Sequence, residues 1–164
     1  MAVLDNKIAI VTGAGSGFGE GIATAYINEG AKVIVADINE AGALAVGGAL
    51  GDNASAFTVD VSNGEQVRAL VAHCVDTFGP PDIVVNNAAI THKNQPMLDV
   101  DEAMFDRMFD VNVKSIYHMA QAVVPVMRQT GAGVILNIGS TAGIRPRPGL
   151  SWYNASKGAV NVLS

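Results

Sequence analysis

The sequence predicts an α/β fold, a doubly wound parallel sheet with helices on both faces. Three observations lead there. The apolar runs are short, rich in Val and Ile, and unbroken rather than alternating, as strands covered on both sides require. Stretches with helical spacing separate them, so the chain reads as successive βαβ units. Small or polar residues follow most of the runs, placing a shared rim at the carboxyl ends of the strands, where such sheets bind ligands. A chain of 164 residues, 49% hydrophobic, can bury a sizeable core as one domain over 1–164.

The strand runs are 8–11, 33–36, 56–59, 83–85 and 134–138. A first helix follows the glycine-rich turn after the first run, and a second begins near Glu40. Ser62 and Glu65 have the spacing of a capping box that opens a helix over 62–78, and Gly79-Pro80-Pro81 ends it. Met104, Met108, Val111, Met119, Val123 and Met127 recur at helical spacing through 101–129, with Pro125 expected to kink the last turns. That stripe suits either a core face or a contact between subunits. A last helix carries Tyr153 and Lys157 and continues through the apolar stretch 159–164. Right-handed crossovers give the strand order 3-2-1-4-5.

Composition excludes several classes of function. The net charge is −5, and no cluster of Lys or Arg offers a nucleic-acid surface. No segment reaches transmembrane length and the amino terminus lacks the pattern of a secretory leader, so a soluble, cytoplasmic protein is expected. Cys74, the sole cysteine, falls in the helical stretch 62–78 and reads as a buried thiol. His73, His92 and His118 lack metal-ligand spacing, so no metal site is expected. Ser140 lies outside a G-x-S-x-G elbow, which disfavours a hydrolase.

The first strand and first helix are joined by Thr12-Gly13-Ala14-Gly15-Ser16-Gly17-Phe18-Gly19. Missing Cβ atoms let such a backbone turn tightly and approach a pyrophosphate, which helix N-terminal amides then hold. The strict G-x-G-x-x-G spacing is absent, because Phe18 stands where its third glycine would fall. Asp37 closes the second strand, eighteen positions after Gly19, near where an acidic residue binds adenosine ribose hydroxyls and repels a 2′-phosphate. Ser16 is neutral and no basic residue replaces Asp37, which points to NAD over NADP. Asp37 equally suits an N-cap for the helix near Glu40. Asp60 and Val61, then Asn86-Asn87-Ala88-Ala89, then Gly139-Ser140 bring the later strand ends to the same rim.

Tyr153 and Lys157 are four apart and share one helix face. A free tyrosine titrates about three units above neutrality, a deficit of about 4 kcal/mol for the phenolate. An ammonium about 4 Å away at an effective dielectric near 20 supplies roughly the same energy, with desolvation opposing it. A tyrosine tuned in that way can exchange a proton with an alcohol or carbonyl. Ser140, thirteen residues earlier, is positioned to hydrogen-bond the reacting oxygen. Taken singly, a Tyr–Lys pair at this spacing merely packs on a helix surface.

Together, Thr12-Gly13-x-x-x-Gly17-x-Gly19, Asp60, Asn86-Asn87-Ala88-Ala89, Asn112, Ser140 and Tyr153-x-x-x-Lys157 resemble the short-chain dehydrogenases/reductases in order and spacing. Ala89 stands where glycine is common in that family. The resemblance implies a Rossmann-like fold and hydride transfer between NAD and a small-molecule alcohol or carbonyl. It implies Tyr153 as general acid/base, with Ser140 orienting the substrate oxygen. Lys157 then holds the nicotinamide ribose and tunes the tyrosine, while Asn112 anchors a relay water. Gly13, Ser16, Gly17, Phe18, Gly19, Asp37, Ile38, Asp60, Val61, Asn87 and Ala88, with Tyr153 and Lys157, form the implied cofactor site. It also implies a homotetramer or dimer, packed through 101–129 and the helix after Trp152. Family members continue through two further strands and a substrate-covering segment, so residues beyond 164 are expected. Two alternatives remain open: an NADPH-linked 3-oxoacyl thioester reductase, and, were the chain to end at Ser164, a dinucleotide-binding module without turnover. The loop 141–152, carrying Arg145 and Arg147, borders the expected substrate pocket and suits a polar or anionic substrate, although such arginines are equally at home as solvated surface residues.

Overall fold

The computed structural model describes residues 2–163. Five strands, β1 (Ile8–Thr12), β2 (Lys32–Asp37), β3 (Ala54–Thr58), β4 (Ile83–Asn86) and β5 (Val134–Asn137), pair in the order β3-β2-β1-β4-β5. Every pairing is parallel. The helices are α1 (Gly17–Asn28), α2 (Glu40–Leu50), α3 (Gly64–Thr77), α4 (Glu102–Phe109), α5 (Ser115–Thr130) and α6 (Ser151–Val162). The expected fold class and strand order are both present.

Alternation along the strands divides the core in two. Ile10, Ile34 and Val84 pack against Leu70 and Cys74 of α3 and Met119, Val123 and Met127 of α5. Their neighbours Ala9, Val11, Val33, Val35 and Val85 pack on the other face against Ala23 of α1 and Ala43 and Val46 of α2. Each large side chain buried this way stabilises the fold by about 1.5–3 kcal/mol. Burial on both faces explains the unbroken apolar runs. β5 differs: it pairs with β4 alone among the described strands, and Val134 and Leu136 are 60% and 44% exposed.

Several local expectations need correction. Asn63, not a Ser62/Glu65 box, caps α3, accepting from the amides of Glu65 and Gln66. The Ser62 hydroxyl is engaged elsewhere, donating to Asp60 Oδ1 at 2.7 Å and accepting from Arg107 Nη1 at 2.8 Å. Asn39, not Asp37, caps α2 through the Gly42 amide. β3 begins at Ala54 and ends at Thr58, leaving Val59 outside it. The stretch 101–129 is two helices joined by a π-turn at Asp110–Lys114, with Asp101 as the cap of α4. Pro125 lies inside α5. The methionine stripe is mainly core, since Met108, Met119 and Met127 are buried while Met104 is 37% exposed. α6 ends at Val162, and the expected helical Ser164 lies outside the described residues. No helix of the described residues is long and apolar enough to cross a membrane.

Candidate active site

The ends of β1 and β4 are fastened together at Thr12. Its hydroxyl donates to the Val85 carbonyl and accepts from the amides of Asn87 and Ala88. Asn87 Nδ2 returns to the carbonyls of Thr12 and Gly13, at 2.9 and 3.1 Å. Gly13 then turns with φ +63°, and a Cβ there would stand 2.9 Å from Ala88 Cα. A Cβ on Gly19 would overlap the Gly13 carbonyl oxygen, so both positions require bare backbone.

Gly17 starts α1 with φ +60° and nothing within 4 Å of a Cβ position. Ser16, the residue before it, provides no side-chain cap. The caps of α2, α3 and α4, in contrast, are Asn39, Asn63 and Asp101, each accepting a main-chain hydrogen bond. The first amides of α1 therefore lack both an intrahelical and a capping partner, and they carry the positive end of the helix dipole. A cleft of about 370 Å³ opens there. Every residue expected to contact the cofactor, except Tyr153 and Lys157, lines this cleft.

Two carboxylates line the cleft. Asp37 accepts the Gly15 amide on Oδ2 at 2.8 Å and the Asn39 amide on Oδ1 at 2.9 Å. A carboxylate has about four lone-pair sites, so two remain for other donors. Asp60 accepts the amide and hydroxyl of Ser62 on Oδ1 and Arg107 Nη1 on Oδ2 at 2.9 Å. Burial works against its ionisation, but the Ser62 bonds and the Arg107 guanidinium outweigh this and hold its carboxyl below the usual aspartate value. Arg107, which reaches the cleft wall from α4, was not legible in the sequence because nothing local links it to Asp60. Open space at Gly17, uncapped amides and a carboxylate with spare lone pairs together fit a dinucleotide.

The expected catalytic residues lie in the turn just past β5, on α6 and on the π-turn between α4 and α5. Asn112, 3% exposed, accepts the Ile90 amide on Oδ1 and donates from Nδ2 to the Ile90 carbonyl and to Ser156 Oγ. Ser156, fully buried, donates in turn to the Tyr153 carbonyl. A chain of hydrogen bonds thus runs from the segment after β4, through the π-turn, to the main chain of α6. Both amide hydrogens of Asn112 are spent in it, leaving only oxygen lone pairs for a water.

Lys157 is 5% exposed, and Nζ donates to the Ile138 carbonyl just past β5 at 2.7 Å. Its burial pushes the ammonium's pKa below that of a free lysine. Ser140 caps the short 3-10 turn Thr141–Gly143 by accepting the Ala142 amide on Oγ. With Oγ serving as acceptor, the hydroxyl hydrogen is free to be donated. Its main chain is gripped by Asn161 of α6, whose Oδ1 accepts the Ser140 amide and whose Nδ2 donates to the Ser140 carbonyl. Ser156 and Asn161 are therefore structural partners of the site that spacing alone did not reveal.

The model of the short chain dehydrogenase family matches residues 7–164. A 4-formylbenzenesulfonate dehydrogenase from Comamonas testosteroni is 46% identical over 98% of this chain. A 3-ketoacyl-(acyl-carrier-protein) reductase from Brucella melitensis, complexed with NADH, superimposes with a TM-score of 0.96 at 46% identity over 98% of this chain. A short chain dehydrogenase/reductase from Burkholderia phymatum in complex with NAD gives 0.93 at 34% identity over 99%. The chain spans 65% of the first relative's length, and 68% and 59% of the two solved chains. With this sheet order, this glycine turn and a family match along nearly its whole length, the chain belongs to the short-chain dehydrogenases/reductases.

Proposed function

We propose that the protein is an NAD(H)-dependent oxidoreductase that interconverts an alcohol and its ketone or aldehyde. The observation that carries the reading is the uncapped start of α1 facing a cleft walled by Asp37. The first amides of α1 hold the pyrophosphate, and the free lone pairs of Asp37 accept the adenosine ribose hydroxyls. The Asp37 charge opposes a 2′-phosphate, and the cation lining the cleft, Arg107, is already paired with Asp60. The NADH and NAD described for the two solved relatives support the same cofactor class.

When bound, the nicotinamide gives or takes the hydride. Tyr153 moves the matching proton to or from the substrate oxygen, and Ser140 donates a hydrogen bond to that oxygen. Lys157 supplies a buried positive charge beside the reaction and steadies a phenolate. Asn112 contributes through its oxygen lone pairs to the path by which the proton reaches water. The reductase relative favours a 3-oxoacyl thioester as a second candidate substrate, with NADH as its reductant in view of Asp37. We propose also that the protein is a dimer or tetramer. A shallow apolar surface of Phe109, Val113, Ile116, Tyr117, Ala120 and Leu163 supports a contact through the π-turn, α5 and the end of α6.

Fluorescence titration of NADH and NADPH, followed by turnover on ketones, aldehydes, polyols and 3-oxoacyl thioesters, tests the reading. Tight NADH binding, weak NADPH binding and oxidation by at least one carbonyl are expected. Preference for NADPH would sink the role of Asp37, and NADH binding without turnover on any substrate would leave a binding module.

A further inference from the structure

α6 carries a second pattern beside the catalytic one. Asn154, Gly158 and Asn161 are spaced i, i+4, i+7 and so form a single stripe, displaced by one residue from Tyr153, Lys157 and Val160. Each member meets the segment that leads from β5 into α6. Asn161 accepts the Ser140 amide at 3.2 Å and donates to the Ser140 carbonyl at 3.0 Å. Asn154 does the same to Arg147, accepting its amide at 3.2 Å and donating to its carbonyl at 2.9 Å. Between them Gly143 lies so close to the helix that a Cβ would stand 2.6 Å from the Gly158 nitrogen and the Lys157 carbonyl. Gly139 is constrained from the same side, since its Cβ position overlaps Asn161 Oδ1.

A primary amide paired with both the N–H and the C=O of one residue imitates the exchange between two strands, and it fixes distance and direction together. Two such clasps at the ends of a segment, with backbone contact in the middle, leave little freedom to slide along the helix. We propose that Asn154, Gly158 and Asn161 form a registration rail that sets Ser140 against Tyr153 and Lys157, with Asn161 as the positioning residue for the serine. The inference rests on the roles given above to Ser140 and Tyr153. Loop docking and catalysis then occupy neighbouring faces of one helix, so the serine-bearing segment is referenced directly to the element that carries the tyrosine. A displacement of about 1 Å in such a group can cost about 100-fold in rate.

The test is Asn161→Leu in the intact protein, which keeps the branched shape and removes both hydrogen bonds. Amide hydrogen exchange at Ser140 should accelerate. Turnover (kcat) should fall by about 10- to 100-fold while the NADH dissociation constant stays within about twofold. In a Ser140→Ala background the same substitution should cost no more than about a further twofold, because the serine it positions is gone. Unchanged exchange at Ser140, an undiminished kcat, or a loss that multiplies fully with that of Ser140→Ala would each overturn the rail. If Ser140→Ala alone leaves kcat unchanged, the catalytic reading has failed, and the exchange measurement still decides whether the clasp exists. Should Asn161→Leu not fold, Asn161→Ala removes both hydrogen bonds without adding bulk and is judged by the same three readouts.

Discussion

The two halves of the site balance the same two fastenings differently. Around the glycine turn, backbone crowding dominates: Gly13 meets Ala88, and Gly19 meets the Gly13 carbonyl, with no room for a Cβ, and a side-chain amide, Asn87, ties the turn together. On the catalytic side, clasps from side-chain amides to main chain dominate, Asn112 on Ile90, Asn154 on Arg147 and Asn161 on Ser140, with Gly143 crowded against α6 between them. An added atom should therefore cost most in the first half, and a removed polar group most in the second.

The largest effect expected is chemical rather than structural. Tyr153→Phe deletes one hydroxyl from the amide-held half and should lower kcat by about 100- to 10,000-fold with NADH affinity nearly intact. Steady-state kinetics beside a binding titration would separate the two, and undiminished turnover would remove Tyr153 from its role. Next is an added methyl in the glycine half. Gly19→Ala should destabilise the fold by about 1–3 kcal/mol and abolish NADH binding. Gly21→Ala, two residues on in the same helix and facing open space, should be neutral or stabilise by up to about 1 kcal/mol. Equal melting temperatures for the two variants would contradict the crowding at Gly19.

A smaller effect reports on Lys157. Because burial lowers its pKa, the unfolded chain binds more protons than the folded one between that lowered value and the 10.5 of a free lysine. Stability from this group therefore rises with pH across the window. Wild type should gain on Lys157→Met as thermal unfolding is repeated from neutral to alkaline pH. A constant difference between the two would mean that the ammonium titrates as if in water.

Comparing the halves also explains what could be read from the chain. The parallel sheet was legible because buried strands such as 33–36 must be apolar on both faces, and the glycine turn because its constraint is local. Asp37, Asp60 and Asn87 reach the cleft because strand ends share a rim, which topology alone dictates. Partners across long separations were hidden. Arg107 meets Asp60 only after α4 is placed, and nothing near Asn161 signals that it will grip Ser140. The misread cap at Ser62 has the same origin, since its hydroxyl is drawn away by Asp60 rather than by its own helix.

Asp37 carries a consequence for redesign. One of its oxygens tethers the Gly15 amide, so the side chain that would select the unphosphorylated nucleotide also tensions the loop that would grip it. Retargeting the cleft to a phosphorylated dinucleotide is therefore not a one-residue exchange. A basic replacement would invert the local charge and slacken the loop together. An asparagine at position 37, able to keep the tether without the charge, combined with a new cation at the exposed Ile38, would separate these two duties.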